Sequence, residues 1–118
     1  MRRFWDAAVA LDPAAQVLDE GVRFGSAALE PLAAAFTAAG LEAVEVRPIE
    51  VPTVFADFDD LWTPFLSGTA PAPAYAASLT EPARNALRDR LRASVVDEPD
   101  GSIRLVARAW AAQGRRSE

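Results

Sequence analysis

The sequence predicts an α+β fold, mostly helical, with one antiparallel strand pair formed by about residues 41–51 and 103–111. Three observations predict it. Apolar residues recur at three-to-four spacing through most of the chain, the period of a helix with one buried face. Two stretches, Leu41 to Val51 and Ile103 to Ala111, instead alternate apolar and polar residues as half-buried strands do. Between them lies a segment with a helical pattern, so the strands are joined by an insertion and not by a tight hairpin turn. No internal repeat is visible, and the chain is expected to form a single unit over residues 1–118.

The first helix is expected over 2–11, with Phe4, Ala8 and Leu11 on one face and Trp5 beside them. Asp12-Pro13 is a helix-start signal, an acidic cap before a proline in the first turn. It opens a short helix over 13–20 that Gly21 would close. A third helix is expected over 31–39. Its buried stripe would be Leu32, Ala35, Phe36 and Ala39, and Gly40 supplies the left-handed stop. The strand at 41–51 follows, with Val44 and Val46 on one face and Glu45 and Arg47 on the other. Pro48 removes a ladder donor, and beyond it the apolar phase moves to Ile49, Val51 and Phe55, which implies an edge or a bulge near residue 48.

The helical insertion is expected over 55–79. Within it Phe58, Leu61, Trp62 and Phe65 share one helical face, Pro64 ends or kinks that helix, and Ser67 to Pro73 reads as loop before a turn of helix at Tyr75 to Leu79. Thr80 caps a helix over 80–95, with Ala83, Leu87 and Leu91 inward and Arg84, Arg88 and Arg92 in an outward row. Asp97 to Gly101 is a turn. In the last strand Ile103, Leu105, Ala107 and Ala109 alternate with Arg104, Arg108 and Trp110. A two-stranded ribbon is marginal by itself in water, so these strands either lean on the helices or extend a sheet outside this sequence.

Composition closes several functional classes. The chain has no cysteine and no histidine. That removes disulfides, thiolate nucleophiles and Cys-based zinc sites, together with the commonest general base near neutral pH and the commonest metal ligand. No stretch approaches the roughly 20 apolar residues a bilayer span needs, and Met1-Arg2-Arg3 leads into Phe4-Trp5-Asp6 and not into an uncharged core, so a cytoplasmic protein without membrane partners is expected. Charge is uneven: Glu42 to Asp60 holds six carboxylates against Arg47, while Arg84 to Arg116 holds eight arginines against four acids. The net charge of -5 would still repel a polyanion, and no nucleic-acid module accompanies the arginines, so no nucleic-acid partner is expected.

Four runs carry a family likeness: Phe4-Trp5-Asp6-Ala7-Ala8; Glu30-Pro31-Leu32 through Ala39-Gly40-Leu41; Phe55-Ala56-Asp57-Phe58-Asp59-Asp60-Leu61-Trp62-Thr63-Pro64-Phe65-Leu66; and Gly101-Ser102-Ile103. In this order they resemble the C-terminal part of a class I S-adenosylmethionine-dependent methyltransferase. The resemblance implies the tail of a Rossmann-like sheet. Residues 41–51 would be its sixth strand and 103–111 an antiparallel seventh strand lying between the fifth and sixth, with a substrate-covering insertion between them. It also implies a small-molecule methyl acceptor. Full-length members of that family bind S-adenosylmethionine on a Gly-rich turn after the first strand and an acidic residue after the second. Neither can be matched here, since the six glycines include no G-x-G pair. No cofactor is therefore expected on this chain alone, and it is expected to be inactive by itself.

The resemblance makes Trp5 and Asp6 candidate pocket-lining residues and Phe58, Trp62 and Phe65 the underside of a lid over the acceptor. The competing reading for the aromatics is a stripe of core packing. Asp57, Asp59 and Asp60 could hold a cation or act as bases, or could simply complement the first turn of a helix. Arg84, Arg88 and Arg92 could dock an anion or form a solvated face. No catalytic residue and no metal ligand is assigned. The alternative to a methyltransferase segment is a non-catalytic, dimeric ligand-binding or interaction module, and a homodimer through an open strand edge and apolar helix faces is expected.

Overall fold

The computed structural model describes residues 1–25 and 28–117. Helices and one two-stranded antiparallel sheet follow in the order α1 (Arg2–Leu11), a 3-10 helix over Pro13–Leu18, α2 (Glu20–Arg23), α3 (Leu29–Ala38), β1 (Leu41–Phe55), α4 (Phe58–Trp62), a 3-10 helix over Thr63–Leu66, α5 (Pro71–Ser78), α6 (Glu81–Ala93) and β2 (Ile103–Arg116). Contacts divide the chain into two compact units, one of Met1–Arg23 with Val54–Arg104 and the other of Phe24–Thr53 with Leu105–Glu118.

The first unit holds the densely buried core. Its α1 packs on α6, bringing Phe4, Trp5, Ala7 and Ala8 together with Leu87 and Leu91. Phe4, Trp5, Leu87, Leu91 and Ile103 are each exposed by 1% or less, and each such side chain contributes about 2–3 kcal/mol of burial. Leu11, expected on the buried face of α1, is 46% exposed: it stands in the last turn, where the chain breaks into an extended Asp12. The Asp12 carboxylate accepts from the Ala14 amide at 3.1 Å, and the capped segment is a 3-10 helix with Pro13 in its first turn.

Gly21 does not close that helix. It lies inside α2, and its lack of a side chain serves close approach: a Cβ there would stand 2.6 Å from the Arg2 Nη1 atom. Thr80 does cap α6, accepting from the Ala83 amide at 3.4 Å, and Pro82 occupies the first turn where no amide donor is needed. In the insertion, α4 gives way to a 3-10 turn at Pro64, and Phe58, Leu61, Trp62 and Phe65 are all buried. Two expected boundaries move. Phe55 ends β1 and does not begin the insertion, and α5 starts at Pro71, inside the expected loop, because proline is tolerated at a helix start.

The second unit is built on the long ribbon. Arg108 bonds Glu50 at 2.8 Å and Gln113 bonds Glu45 at 3.0 Å, so stepping back along β1 corresponds to stepping forward along β2, in one antiparallel register. β1 runs past 51 because Thr53 and Phe55 keep the alternation of β-branched and aromatic residues, and β2 runs past 111 because residues 112–116 lie opposite the start of β1. The phase change itself is real: Val44 and Val46 are half-buried, as are Thr53 and Phe55, while residues 47–52 between them are exposed. Pro48 does not interrupt the strand. The left-handed residue of β1 is Ala43, at φ 49°, and not one near position 48.

The expected buried stripe of α3 is corrected as well. None of its residues is buried; Leu32, Ala33 and Phe36 are half-buried, and Ala35 and Ala39 are exposed. Gly40, at φ 84°, provides the left-handed exit that leads straight into β1. On β2 the expected inward set is only partly covered: Ile103 is buried and Leu105 half-buried, but Ala107 and Ala109 are exposed and Trp110 is half-buried instead. In the middle of the ribbon, residues 47–52 of β1 and 106–109 of β2 are exposed.

Candidate functional site

Four of the five residues proposed to line a pocket or lid lie in the core of the first unit. The rings of Phe4 and Phe65 stack with centroids 4.5 Å apart, Trp5 meets Phe4 edge-on at 5.3 Å, Trp62 lies 6.0 Å from Phe65, and Tyr75 sits 5.7 Å from Trp5. The cluster therefore joins α1, the Thr63–Leu66 turn and α5. Trp5, Phe58, Trp62 and Phe65 are exposed by 1–8%, so each presents little surface to a ligand. Phe58 stands apart from the stacked rings, beneath the guanidinium groups of Arg88 and Arg92 at 5.3 and 5.5 Å. Asp6 is exposed and pairs with Arg2 at 2.8 Å one helical turn away.

Arg2 reaches further, to Asp19, whose side chain is only 5% exposed. The Asp19 carboxylate also accepts from the Gly21 amide at 2.8 Å. The hydrogen bonds from Arg2, with help from the Gly21 amide, hold Asp19 below the usual carboxylate range against the opposing effect of burial, and they raise the Arg2 guanidinium in turn. This pair closes the Pro13–Leu18 turn onto the start of α1.

Two of the three aspartates of the insertion, Asp57 and Asp60, bond backbone amides at the start of α4, and the third pairs with an arginine. Asp57 accepts from the Asp60 amide at 2.9 Å, Asp60 accepts from the Ala56 amide at 3.0 Å, and Asp59 pairs with Arg88 at 3.5 Å. The Asp57 bond satisfies an amide that the first turn of α4 leaves free, and the Asp60 bond holds the residue just before the cap. The arginine row is likewise engaged. Arg84 donates to the carbonyls of Ala76 and Leu79 at 2.9 and 3.0 Å, closing the C-terminus of α5, and Arg92 pairs with Asp97 at 2.6 Å. Among the described residues, no group of three His, Cys, Asp or Glu side chains could hold a metal ion, and no helix is long and apolar enough to cross a membrane.

Two clefts on the first unit are lined by described residues. One, of about 310 Å³, lies over Phe58 among Arg88, Arg92, Asp59 and Asp97, whose charges already pair with one another. The other, of about 270 Å³, lies between the end of α1, α5 and α6, where Ala8, Ala83 and Ala86 leave space beside Leu79 and Leu87. Its polar groups are Asp12 and Tyr75. Burial, and after it the charge of Asp12, pushes the Tyr75 phenol above its ordinary value, so it is a neutral donor at pH 7.

Sequence reasoning missed this second cleft. Its one signal was the lone tyrosine of the chain, set among alanines and prolines in a segment assigned partly to loop. No family model, curated protein or solved structure matches the chain.

Proposed function

We propose that this chain is the C-terminal segment of a class I S-adenosylmethionine-dependent methyltransferase fold acting on a small molecule, and that it is inactive by itself. The observation that carries the reading is the strand arrangement around the helical insertion. β1 bears Pro48 and Pro52, which suit a strand at the margin of a sheet, whereas β2 has no proline and can accept a neighbour on its second side. A marginal sixth strand beside an inner antiparallel seventh strand is the order the family resemblance implies. In this reading the insertion from α4 to α5 covers the acceptor, its rings serving as the rigid underside of the cover and not as direct ligands. Trp5, on α1, belongs to the same ring cluster, and Asp6 beside it is exposed.

The cofactor belongs to residues outside this sequence: no strand, glycine-rich bend and helix in succession exist here to approach an adenosyl sulfonium. Calorimetric titration of the 118-residue chain with S-adenosylmethionine is expected to give no specific heat. A stoichiometric micromolar signal would contradict the proposal. Translating the DNA upstream of Met1 tests the family reading itself. An in-frame strand, glycine-rich turn and helix support it, and their absence removes it.

The cleft beside Asp12 and Tyr75 favours a second reading, a non-catalytic module that binds a small apolar ligand carrying one hydrogen-bonding or cationic end. A ligand found by chemical-shift mapping should perturb Tyr75 and Ala83, and Tyr75→Phe should weaken its binding.

A further inference from the structure

We propose that the cleft between the end of α1, α5 and α6 binds a small apolar primary amine in its ammonium form, with the nitrogen at Asp12 and Tyr75 and the apolar body against Ala8 and Leu87. The inference rests on the second reading above, that this cleft takes a ligand, and adds which charge the ligand carries and which way round it lies.

Burial orders the lining from floor to rim. Ala8 and Leu87 are exposed by only 2% and 1%, Tyr75, Leu79 and Ala83 are half-buried, and Leu11, Asp12 and Ala86 are exposed. The floor is therefore apolar and the charge stands at the rim. A charged head bound there keeps part of its water and avoids the cost of burying an ion, while an apolar body gains by leaving water. Small side chains make the space, since both α1 and α6 contribute alanines to the lining. At about 270 Å³ the cleft falls below the roughly 300–1,000 Å³ of pockets that take drug-sized ligands, so its occupant is small.

Charge then selects the head group. Among the described lining residues Asp12 is the charged one, and no arginine stands with it. Its Oδ1 atom accepts from the Ala14 amide at 3.1 Å, and Oδ2 has no hydrogen-bond or ion-pair partner among the described residues. The Tyr75 phenol lies close enough to feel that carboxylate and stays protonated at pH 7, so it adds a hydroxyl and no second charge. An ammonium brings N–H donors to both acceptors, the Asp12 carboxylate and the Tyr75 oxygen. A ligand carboxylate would instead meet Asp12 as a like charge with no cation to offset it. The net charge of -5 acts in the same direction, drawing cations and repelling anions. The cleft over Phe58 lacks this preference, because Arg88 and Arg92 already pair with Asp59 and Asp97.

Phenethylamine, phenethyl alcohol and hydrocinnamate share one apolar body and differ in the head group, so amide chemical-shift titration of the 118-residue chain at pH 7 compares them directly. Phenethylamine is expected to shift the Tyr75 and Ala83 signals saturably, with a Kd of about 1 mM for so small a ligand. The alcohol should bind about fivefold more weakly, the upper end for an exposed ion pair, and the acid should not saturate. Asp12→Asn retains an oxygen for the Ala14 amide, and asparagine caps as well as aspartate, so the fold is kept. This variant is expected to bring the amine down to the affinity of the alcohol. Ala86→Leu puts a good helix former at an exposed position of α6, narrows the rim and should weaken amine and alcohol alike. The ammonium assignment is overturned, with the cleft still a site, if alcohol or acid binds as tightly as the amine or if Asp12→Asn leaves the amine unaffected. If none of the three saturates below about 10 mM, or if Ala86→Leu changes nothing, the cleft is not the site and the second reading falls together with the inference.

Discussion

Removing the Asp19 carboxylate should destabilise the first unit by about 2–3 kcal/mol, the value expected when a nearly buried, charge-assisted hydrogen-bonding group is deleted. The carboxylate is 5% exposed and accepts from both Arg2 and the Gly21 amide. A fully buried pair broken on one side costs about 3–5 kcal/mol, but the Arg2 side chain is 54% exposed and can recover water, so the smaller range applies. Asp19→Asn keeps an oxygen for the Gly21 amide and loses only the charge, so it should cost about half as much as Asp19→Ala. Urea unfolding at pH 7 measures both. Because the folded pKa of Asp19 is lowered, its contribution is fully present above the unfolded value of about 3.9 and is lost as pH falls through the folded value. The gap between the parent chain and Asp19→Ala should therefore be the same at pH 7 and pH 5 and should shrink below about pH 4. A gap under about 0.5 kcal/mol at pH 7, or one that grows on acidification, would refute the assignment of Asp19 as an ionised, bonded group.

Trp5→Phe should cost no more than about 1 kcal/mol although Trp5 is 1% exposed, because its indole Nε1 is buried without a hydrogen-bond partner among the described residues and the substitution relieves that unmet donor; Trp5→Ala should cost about 3–5 kcal/mol, and chemical denaturation compares the two. Arg84→Ala should destabilise by about 1–2 kcal/mol by freeing the carbonyls of Ala76 and Leu79, and Arg84→Lys should recover little, since one ammonium cannot span both acceptors as the planar guanidinium does. Gly21→Ala should mimic part of the Asp19 loss, because its Cβ would displace the Arg2 guanidinium; the thermal midpoint reads it out.

Local signals in the sequence located most elements because each acts within a few residues. Thr80 before Pro82, Asp12 before Pro13 and Gly40 after α3 mark the helix ends they cap, start or terminate, since their effects depend only on neighbouring amides and on φ. The apolar stripe Phe58, Leu61, Trp62 and Phe65 likewise marked a buried face. What failed depends on what lies across space. Leu11, Ala35 and Ala39 have the right helical spacing yet remain exposed, because period predicts which residues share a face and not whether anything covers it. Gly21 looked like a stop and is a clearance for Arg2, a residue distant in sequence. Arg84, Arg88 and Arg92 looked like a solvated row, but α5 and Phe58 lie close enough to engage them. The Asp12 and Tyr75 cleft was invisible because three separated helical segments form it.

The central structural claim is that β1 is built for one neighbour and β2 for two. Residue-resolved amide hydrogen exchange along β2 measures this directly. Odd-numbered amides, bonded to β1, should exchange slowly at every protein concentration. The even-numbered amides of Val106, Arg108, Trp110 and Ala112, which lie opposite the positions of β1 that Pro48 and Pro52 mark as facing outward, should exchange fast. Even-numbered amides that are protected in the dilute monomer, or an absence of any alternation along the strand, would contradict the account.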